Sequence, residues 1–174
     1  PSKRKFIPRT TDSDHDNPVY PNLIKDVPIT HPDQVWAGDI TYIQLDKGFA
    51  YLASILDLFT RKCIGWNMSK NMRTDLPMGA LDMAIDTRWN PDLKGLIHHS
   101  DRGVQYTSYA YTDRLKEHDI EISMSRKGNP YDNAYVESFF KTLKVEEVYM
   151  NEYHDINDAW DNIQHFIEDV YNKK

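Results

Sequence analysis

Apolar residues are arranged differently in the two halves of this chain, and each arrangement predicts its own kind of element. In the first half, segments rich in β-branched, aromatic and apolar residues cover 34–45, 49–58 and 61–69. A turn at residues 46–48 separates the first two segments, so the three predict an antiparallel meander of strands.

In the second half, apolar residues recur at helical spacing between short strand-like runs. Helices are predicted at about 75–88, 108–118, 156–171 and around Glu137, and strands near Leu96 and at 120–124. Three antiparallel strands followed by alternating helices and strands indicate an α/β fold, in which helices flank a mixed five-stranded sheet.

An acid, Asp39, lies at the centre of the first predicted strand. Taking a carboxylate out of water costs several kcal/mol, so a buried one survives by pairing, hydrogen bonding, protonation or metal binding. On its own, Asp39 could pair with a buried lysine or arginine. Metal binding is the interpretation that also explains two further acids.

Asp101 and Glu137 also lie where a side chain can face a partner. Asp101 ends the apolar run 95–101, at the junction of a strand and a polar loop, and functional groups gather at such strand ends. Glu137 shares a face of its predicted helix with Lys141 and Lys144, which are four and seven residues further on. One acid and two cations on that face suit a metal ion beside phosphates.

Each of these acids has a simpler interpretation when it is taken alone. Asp101 could cap a turn, and Glu137 with Lys141 could be an ordinary helix-surface pair, worth only about 0.2–0.5 kcal/mol. Together with Asp39, however, the acids predict a site for two divalent metal ions.

Proline and glycine divide the chain near residue 33. Six of the nine prolines lie within residues 1–33, whereas all seven glycines come later. Residues 1–33 are therefore interpreted as an extended, proline-rich arm or linker, and residues 34–174 as the core domain. The basic tip of the arm could touch nucleic acid or could simply be a solvated terminus.

The overall composition narrows the class of protein. A net charge of −6 argues against a stand-alone DNA binder of high affinity, because phosphate contacts need Lys and Arg. The charge is better suited to a catalytic core that gathers acids around metal and leaves most target binding to another module. Cys63 is the single cysteine, and no apolar segment approaches the roughly 20 residues of a membrane span. We therefore expect a cytoplasmic protein without a membrane partner.

Three strings contain these acids and make the chain resemble a known family. The strings are residues 36–42 (WAGDITY), 99–106 (HSDRGVQY) and 128–144, which begin with GNPYDNA. They closely resemble the integrase-type catalytic core of bacterial insertion-sequence transposases of the OrfB type, in the retroviral-integrase superfamily. In that family they hold the first Asp, the second Asp and the Glu of the DDE triad, with the same 35-residue gap between the last two. The resemblance covers about residues 34–172.

The resemblance implies a ribonuclease H-like fold in which Asp39, Asp101 and Glu137 are catalytic residues and metal ligands. Carboxylate oxygens select hard cations, so the expected cofactor is Mg²⁺, with Mn²⁺ as a substitute and two ions in the active complex. The implied reactions are cleavage at the 3′ ends of the element DNA and strand transfer. Adjacent strand residues point to opposite faces, so His99 rather than His98 shares the face of Asp101 and is a candidate accessory residue.

Several polar residues are candidates for contact with DNA. Lys144 matches a basic position that the family uses near the DNA end. The other candidates are Lys141, Arg102, Asn129, Tyr131 and Asn133. Turn and helix-cap chemistry would explain the last three of these equally well.

The working complex is expected to contain DNA and more than one copy of the protein. Synapsis of two element ends implies a homodimer or higher oligomer, which also binds target DNA. The resemblance further implies a helix-turn-helix region upstream and a continuation beyond residue 174, so we expect the chain to be a fragment of a longer transposase. Two alternatives stay open: a metal-dependent ribonuclease H-like nuclease without strand transfer, and an inactive DNA-binding or assembly module.

Overall fold

The computed structural model describes residues 6–88, 91–126 and 133–174, and a five-stranded sheet forms its centre. The strands are β1 (Val35–Gln44), β2 (Phe49–Asp57), β3 (Cys63–Ser69), β4 (Ile97–Ser100) and β5 (Glu121–Met124). Their spatial order is β3-β2-β1-β4-β5, in which β1, β2 and β3 are antiparallel and β4 and β5 run parallel to β1. The predicted meander and mixed sheet are both confirmed.

Helices follow the meander and cover the sheet. They are α1 (Asp75–Asp86), α2 (Val104–Thr107), α3 (Tyr109–Glu117), α4 (Ala134–Glu146) and α5 (Ile156–His165). In the described ranges, none of the helices is long and apolar enough to cross a membrane.

Three features of the structure differ most clearly from the sequence prediction. The third strand begins at Cys63 rather than at residue 61, because Arg61 has a φ of 64°, which lies outside the strand region. The last α-helix ends at His165, and the chain continues as a π-helix over Phe166–Val170. The polar turn after Asp101 contains α2, which at four residues is too short to show a helical period in the sequence.

Strand β1 is buried on both faces, which explains its almost continuous apolar sequence. Val35, Ala37 and Ile43 belong to one core with the apolar stripe of α4, whereas Trp36 and Ile40 belong to a second core with α1 and α3. Since side chains alternate along a strand, Asp39 shares the face of Val35 and Ala37, which is the face that α4 covers.

Residues 6–33 contain neither helix nor strand, and part of this segment packs against the carboxyl ends of β4 and β5. The N–H of Val104 donates to the carbonyl oxygen of Asp12 at 2.8 Å, and the N–H of Leu23 donates to Ser123 Oγ at 2.8 Å. This segment therefore lies over the edge of the sheet where β4 and β5 end. The division of the chain into an arm and a core near residue 33 stays a prediction.

Candidate active site

The parallel pairing of β1 with β4 brings Asp39 and Asp101 together. Ala37 pairs with His99 in this ladder, and each aspartate lies two residues beyond its member of the pair. Both carboxyl groups consequently lie on the same face of the sheet, near the carboxyl end of β4, where they interact directly with each other. Two acids that are 62 positions apart in sequence thus form one cluster.

Backbone and side-chain donors hold the two carboxyl groups in place. The N–H of Ile40 donates to Asp39 Oδ1 at 2.8 Å, and the N–H of Gly103 donates to Asp101 Oδ1 at 2.7 Å. The hydroxyl of Thr11 donates to Asp101 Oδ2 at 3.1 Å. A Cβ at position 103 would lie 2.8 Å from Asp101 Oδ1, so a side chain there would displace the Asp101 carboxyl group from this position.

The pair is electrostatically unfavourable in the absence of a cation. Burial raises the pKa of Asp39, and the charges of Asp101 and Glu137 raise it further, while the hydrogen bond from Ile40 opposes the change. Burial also raises the pKa of Asp101, against hydrogen bonds from Gly103 and other donors. Within the described ranges, neither aspartate forms an ion pair with Lys or Arg. Such a pair is stabilised by taking up a proton or a metal ion.

Glu137 is presented differently from the two aspartates. It lies in the first turn of α4 and its side chain is exposed, although its charge is close enough to raise the pKa of Asp39. In the part of the chain that the structure describes, no three Asp, Glu, His or Cys side chains converge closely enough to hold a metal ion. The structure therefore brings two of the predicted acids together and leaves the third beside them.

The donor set fits a divalent cation of the hard type. All three candidate ligands offer carboxylate oxygens, and two of them are already adjacent without a compensating positive charge. Mg²⁺ binds through one or two carboxylates while keeping several waters, so the pair Asp39 and Asp101 is sufficient to begin its coordination shell.

The two histidines before Asp101 lie on opposite faces of β4. His99 is fully buried on the face of Ala37, and its Nδ1 lies 2.8 Å from Ser123 Oγ. His98 lies 2.7 Å from the hydroxyl of Tyr111, and burial lowers the His98 pKa to about 3. His98 is therefore a neutral core residue, and a direct role for His99 stays a prediction.

The candidate DNA contacts on α4 and the loop after β4 are spread around the acids. Lys141 is exposed, whereas Lys144 is half-buried with its Nζ 4.3 Å from the centre of the Tyr42 ring. The Nε of Arg102 donates to the carbonyl oxygen of Ser125 at 3.0 Å, which holds this side chain along the protein surface.

The segment before α4 contains the other three candidates. Asn133 immediately precedes the helix and is buried, but its side chain makes no capping hydrogen bond. No donor among the described residues reaches its Oδ1. Asn129 and Tyr131 lie outside the described residues.

Thr11 is a site residue that the sequence did not reveal. It lies 90 positions before Asp101 in a segment interpreted as a linker, and a single threonine there carries no local signal. The same segment contributes His15, whose Nε2 lies 2.7 Å from the carbonyl oxygen of Arg102. Only the folding of the arm over the end of β4 makes these contacts visible.

The fold matches solved structures of integrase and transposase cores. An intasome of simian T-cell lymphotropic virus superposes with a TM-score of 0.64 and 20% identity, over 91% of this chain and 55% of that one. The catalytic domain of Mos1 mariner transposase superposes with a TM-score of 0.62 and 13% identity, over 80% of this chain and 74% of that one. The HTLV-2 integrase catalytic core, solved with magnesium, superposes with a TM-score of 0.56 and 17% identity, over 79% of this chain and 88% of that one. The fold is thus that of the ribonuclease H-like catalytic cores.

Sequence comparison identifies the family of the chain, whereas the structural comparison shows only its fold. Two family models, each described as an integrase core domain, match residues 29–130 and 118–174. The chain belongs to this integrase core family.

Curated relatives come from insertion sequences. The chain is 42% identical over 173 residues to an uncharacterised 31 kDa protein of insertion element IS600 from Shigella sonnei, covering 99% of this chain and 62% of the relative. It is 48% identical over 146 residues to the transposase InsF of insertion sequence IS3A from Escherichia coli, covering 83% and 50%. The chain therefore spans about half to three-fifths of the length of these relatives.

Proposed function

We propose that this chain forms the catalytic core of an insertion-sequence transposase, which cleaves DNA at the 3′ ends of its element and joins those ends to target DNA. The observation that carries the proposal is the pairing of Asp39 with Asp101 on one face of the sheet, near the end of β4, with Glu137 beside them. The relationship to transposase InsF supports it. Residues 34–174 would form the core, and residues 1–33 an arm that packs on it.

The three acids would hold the metal ions. We assign Asp39, Asp101 and Glu137 as ligands of two Mg²⁺ ions, for which Mn²⁺ can substitute. Bound divalent ions of this kind activate an attacking oxygen and stabilise the charge on the leaving one. Asp39 and Asp101 contribute position, because the sheet and their hydrogen bonds already hold them. Glu137 contributes a carboxylate from a separate element.

The chemistry consists of two displacements at phosphorus. In the first, a water oxygen forms a bond to the phosphorus at the element end, the bond to the 3′ oxygen breaks, and that oxygen takes up a proton. In the second, the freed 3′-hydroxyl loses its proton as its oxygen bonds to a phosphorus of target DNA, the bond from that phosphorus to the target 3′ oxygen breaks, and the leaving oxygen takes up a proton. Since both attacking groups are oxygens of water or DNA, no protein nucleophile is required, and the carboxylates act by positioning.

DNA binding would depend on local basic groups rather than on overall charge. Lys144 and Lys141 on α4 and Arg102 beside Asp101 would contact phosphates, and Asn129, Tyr131 and Asn133 would contact the DNA end. With a net charge of −6, the core would leave most of the affinity to other parts of the protein. Synapsis of two ends requires a dimer or higher oligomer, which would act in the cytoplasm on the nucleoid.

The test is a cleavage and joining assay on labelled element-end DNA with full-length protein that contains this chain. Joined product that requires Mg²⁺ and disappears in Asp101→Asn would support strand transfer at this site. Cleavage without joining would replace the proposal by a nuclease. Absence of both products, with folding and DNA binding intact, would indicate an inactive module.

A further inference from the structure

Gln105 is a buried polar residue on α2, in the turn that follows Asp101, and it exposes only 6% of its surface. Its Nε2 donates to the carbonyl oxygen of Met72 at 3.1 Å, and this bond fixes the orientation of the side-chain amide. No donor among the described residues reaches the other amide atom, Oε1. A buried acceptor without a donor costs about 1–3 kcal/mol, so this oxygen needs a partner.

Gly103 leaves a small space between this amide oxygen and the carboxyl group of Asp101. A Cβ at position 103 would lie 3.4 Å from Gln105 Oε1 and 2.8 Å from Asp101 Oδ1. The separation of the two oxygens therefore cannot exceed the sum of these distances, which is close to the reach of one water molecule that bonds to both. Because both oxygens are acceptors, a hydrogen donor between them would stabilise the pair.

A water molecule in this position would be oriented by its two acceptors. Asp101 Oδ1 accepts from the N–H of Gly103 at 2.7 Å, and a carboxylate oxygen can accept a second hydrogen bond. A water that donates one hydrogen to Gln105 Oε1 and the other to Asp101 Oδ1 directs its lone pairs away from both. Those lone pairs are the electrons with which water attacks phosphorus.

We propose that Gln105 is a positioning residue, which together with Asp101 orients the water molecule that attacks the phosphodiester at the element end. The inference rests on the proposed transposase function and adds a residue to its first step. In that step the water oxygen bonds to phosphorus and the bond from phosphorus to the 3′ oxygen breaks. One proton of the water passes to solvent, and the 3′ oxygen takes up a proton. Gln105 contributes orientation and takes up no proton.

The two displacements should therefore depend on Gln105 to different extents. Water is the attacking group in the cleavage step, whereas the freed 3′-hydroxyl of the DNA attacks in the joining step. A residue that orients water is needed for cleavage and is dispensable for joining. A residue that supports the fold or the metal ions is needed for both steps.

The test compares cleavage of an intact element-end duplex with joining of a duplex whose 3′ end is already freed, using full-length protein and Mg²⁺. Gln105→Met removes the acceptor at similar side-chain length and should slow cleavage by roughly 10- to 100-fold, because the attacking water is misplaced. Joining of the pre-cleaved duplex should change by less than about threefold. The Kd for Mn²⁺, measured by electron paramagnetic resonance without DNA, should stay within about twofold.

Gln105→Glu and Thr107→Val provide matched controls. Glutamate also loses the hydrogen bond to Met72 but keeps an acceptor oxygen, so its ratio of cleavage to joining should stay nearer to that of the unaltered protein. Thr107→Val removes a hydroxyl that donates to the carbonyl oxygen of Gly103 at 3.2 Å. This change loosens the same turn and should affect both steps alike.

Three results would overturn the role of Gln105 in orienting water. They are equal slowing of both steps by Gln105→Met, an equal ratio of cleavage to joining in the methionine and glutamate variants, and markedly weaker Mn²⁺ binding by Gln105→Met. Cleavage and joining by the unaltered protein would in each case leave the proposed function standing. Absence of both products with the unaltered protein would overturn the proposed function and this inference together.

Discussion

The two aspartates and the glutamate of the candidate site are held in different ways. Asp39 and Asp101 lie on neighbouring parallel strands, and hydrogen bonds from Ile40, Gly103 and Thr11 orient them. Glu137 extends from the first turn of α4 with an exposed side chain. The sheet therefore positions two of the three acids before any metal ion binds, and α4 supplies the third.

This difference teaches how the cost of the site is distributed. Burial raises the pKa of both aspartates, and the charge of Asp101 raises that of Asp39 further, whereas the exposed side chain of Glu137 keeps its contact with water. We infer that a bound cation, rather than the fold alone, draws the three acids into one coordination sphere.

The largest expected effect is on the rate of the joining reaction, for which the two aspartates and the glutamate should be equally important. Asp39→Asn, Asp101→Asn and Glu137→Gln should each reduce the rate of joining by about 10²–10³-fold or more, because each removes negative charge from the metal shell. The measurement is the initial rate of joined product at saturating Mg²⁺. A Glu137→Gln variant that joins at nearly the normal rate would remove the glutamate from the site.

The increase in Tm caused by bound metal should depend more on the aspartates than on the glutamate. At 100 times its Kd, Mg²⁺ should stabilise the unaltered protein by about 2.7 kcal/mol through mass action. Asp39→Asn should abolish the increase in Tm, and Glu137→Gln should only reduce it, because two aspartates can still begin the shell. Equal loss in both variants would show that the glutamate is as necessary for the first ion as the aspartates.

The pH dependence of stability should also distinguish the two kinds of acid. Both aspartates have a pKa that folding raises, so the folded state prefers their protonated form, and metal-free stability should fall as pH rises above the ordinary carboxyl pKa near 4. Asp39→Asn should remove part of this decline and stabilise the metal-free protein at pH 8 by on the order of 1 kcal/mol. Glu137→Gln should change it by less than about 0.5 kcal/mol.

Urea unfolding of metal-free protein between pH 5 and pH 8 provides the measurement. His98 has the opposite sign, since its lowered pKa costs stability as pH falls below the usual range of histidine. Subtracting the Asp39→Asn curve from that of the unaltered protein cancels this contribution. A difference that does not grow with pH would contradict the raised pKa of Asp39.

The smallest expected effect concerns the arm. Thr11→Val removes the hydroxyl that donates to Asp101 Oδ2 and should cost about 0.5–1.5 kcal/mol in unfolding free energy, whereas Thr11→Ser should retain most of it. Urea unfolding at pH 8 in the absence of metal would measure the change. Equal behaviour of valine, serine and the unaltered protein would mean that the arm does not orient Asp101.

Much of the fold could be predicted from local patterns. The continuous apolar sequence around Asp39 predicted a buried strand, and the structure places that strand at the centre of the sheet. Val136, Phe139, Phe140 and Leu143 have the spacing of one apolar helix face, and all four residues are buried on α4. Such signals depend on neighbours a few positions apart, so a single sequence is sufficient to show them.

The sequence by itself determined the order of the elements and the presence of three acids in recognisable strings. Only the tertiary structure decided that Asp39 and Asp101 meet, because the parallel register of β1 with β4 joins segments that are some sixty residues apart. It also decided the contact from Thr11 and the hydrogen bond between Gln105 and Met72. These features come from packing between distant segments, whose free energy depends on the whole fold and leaves no periodic trace in the chain.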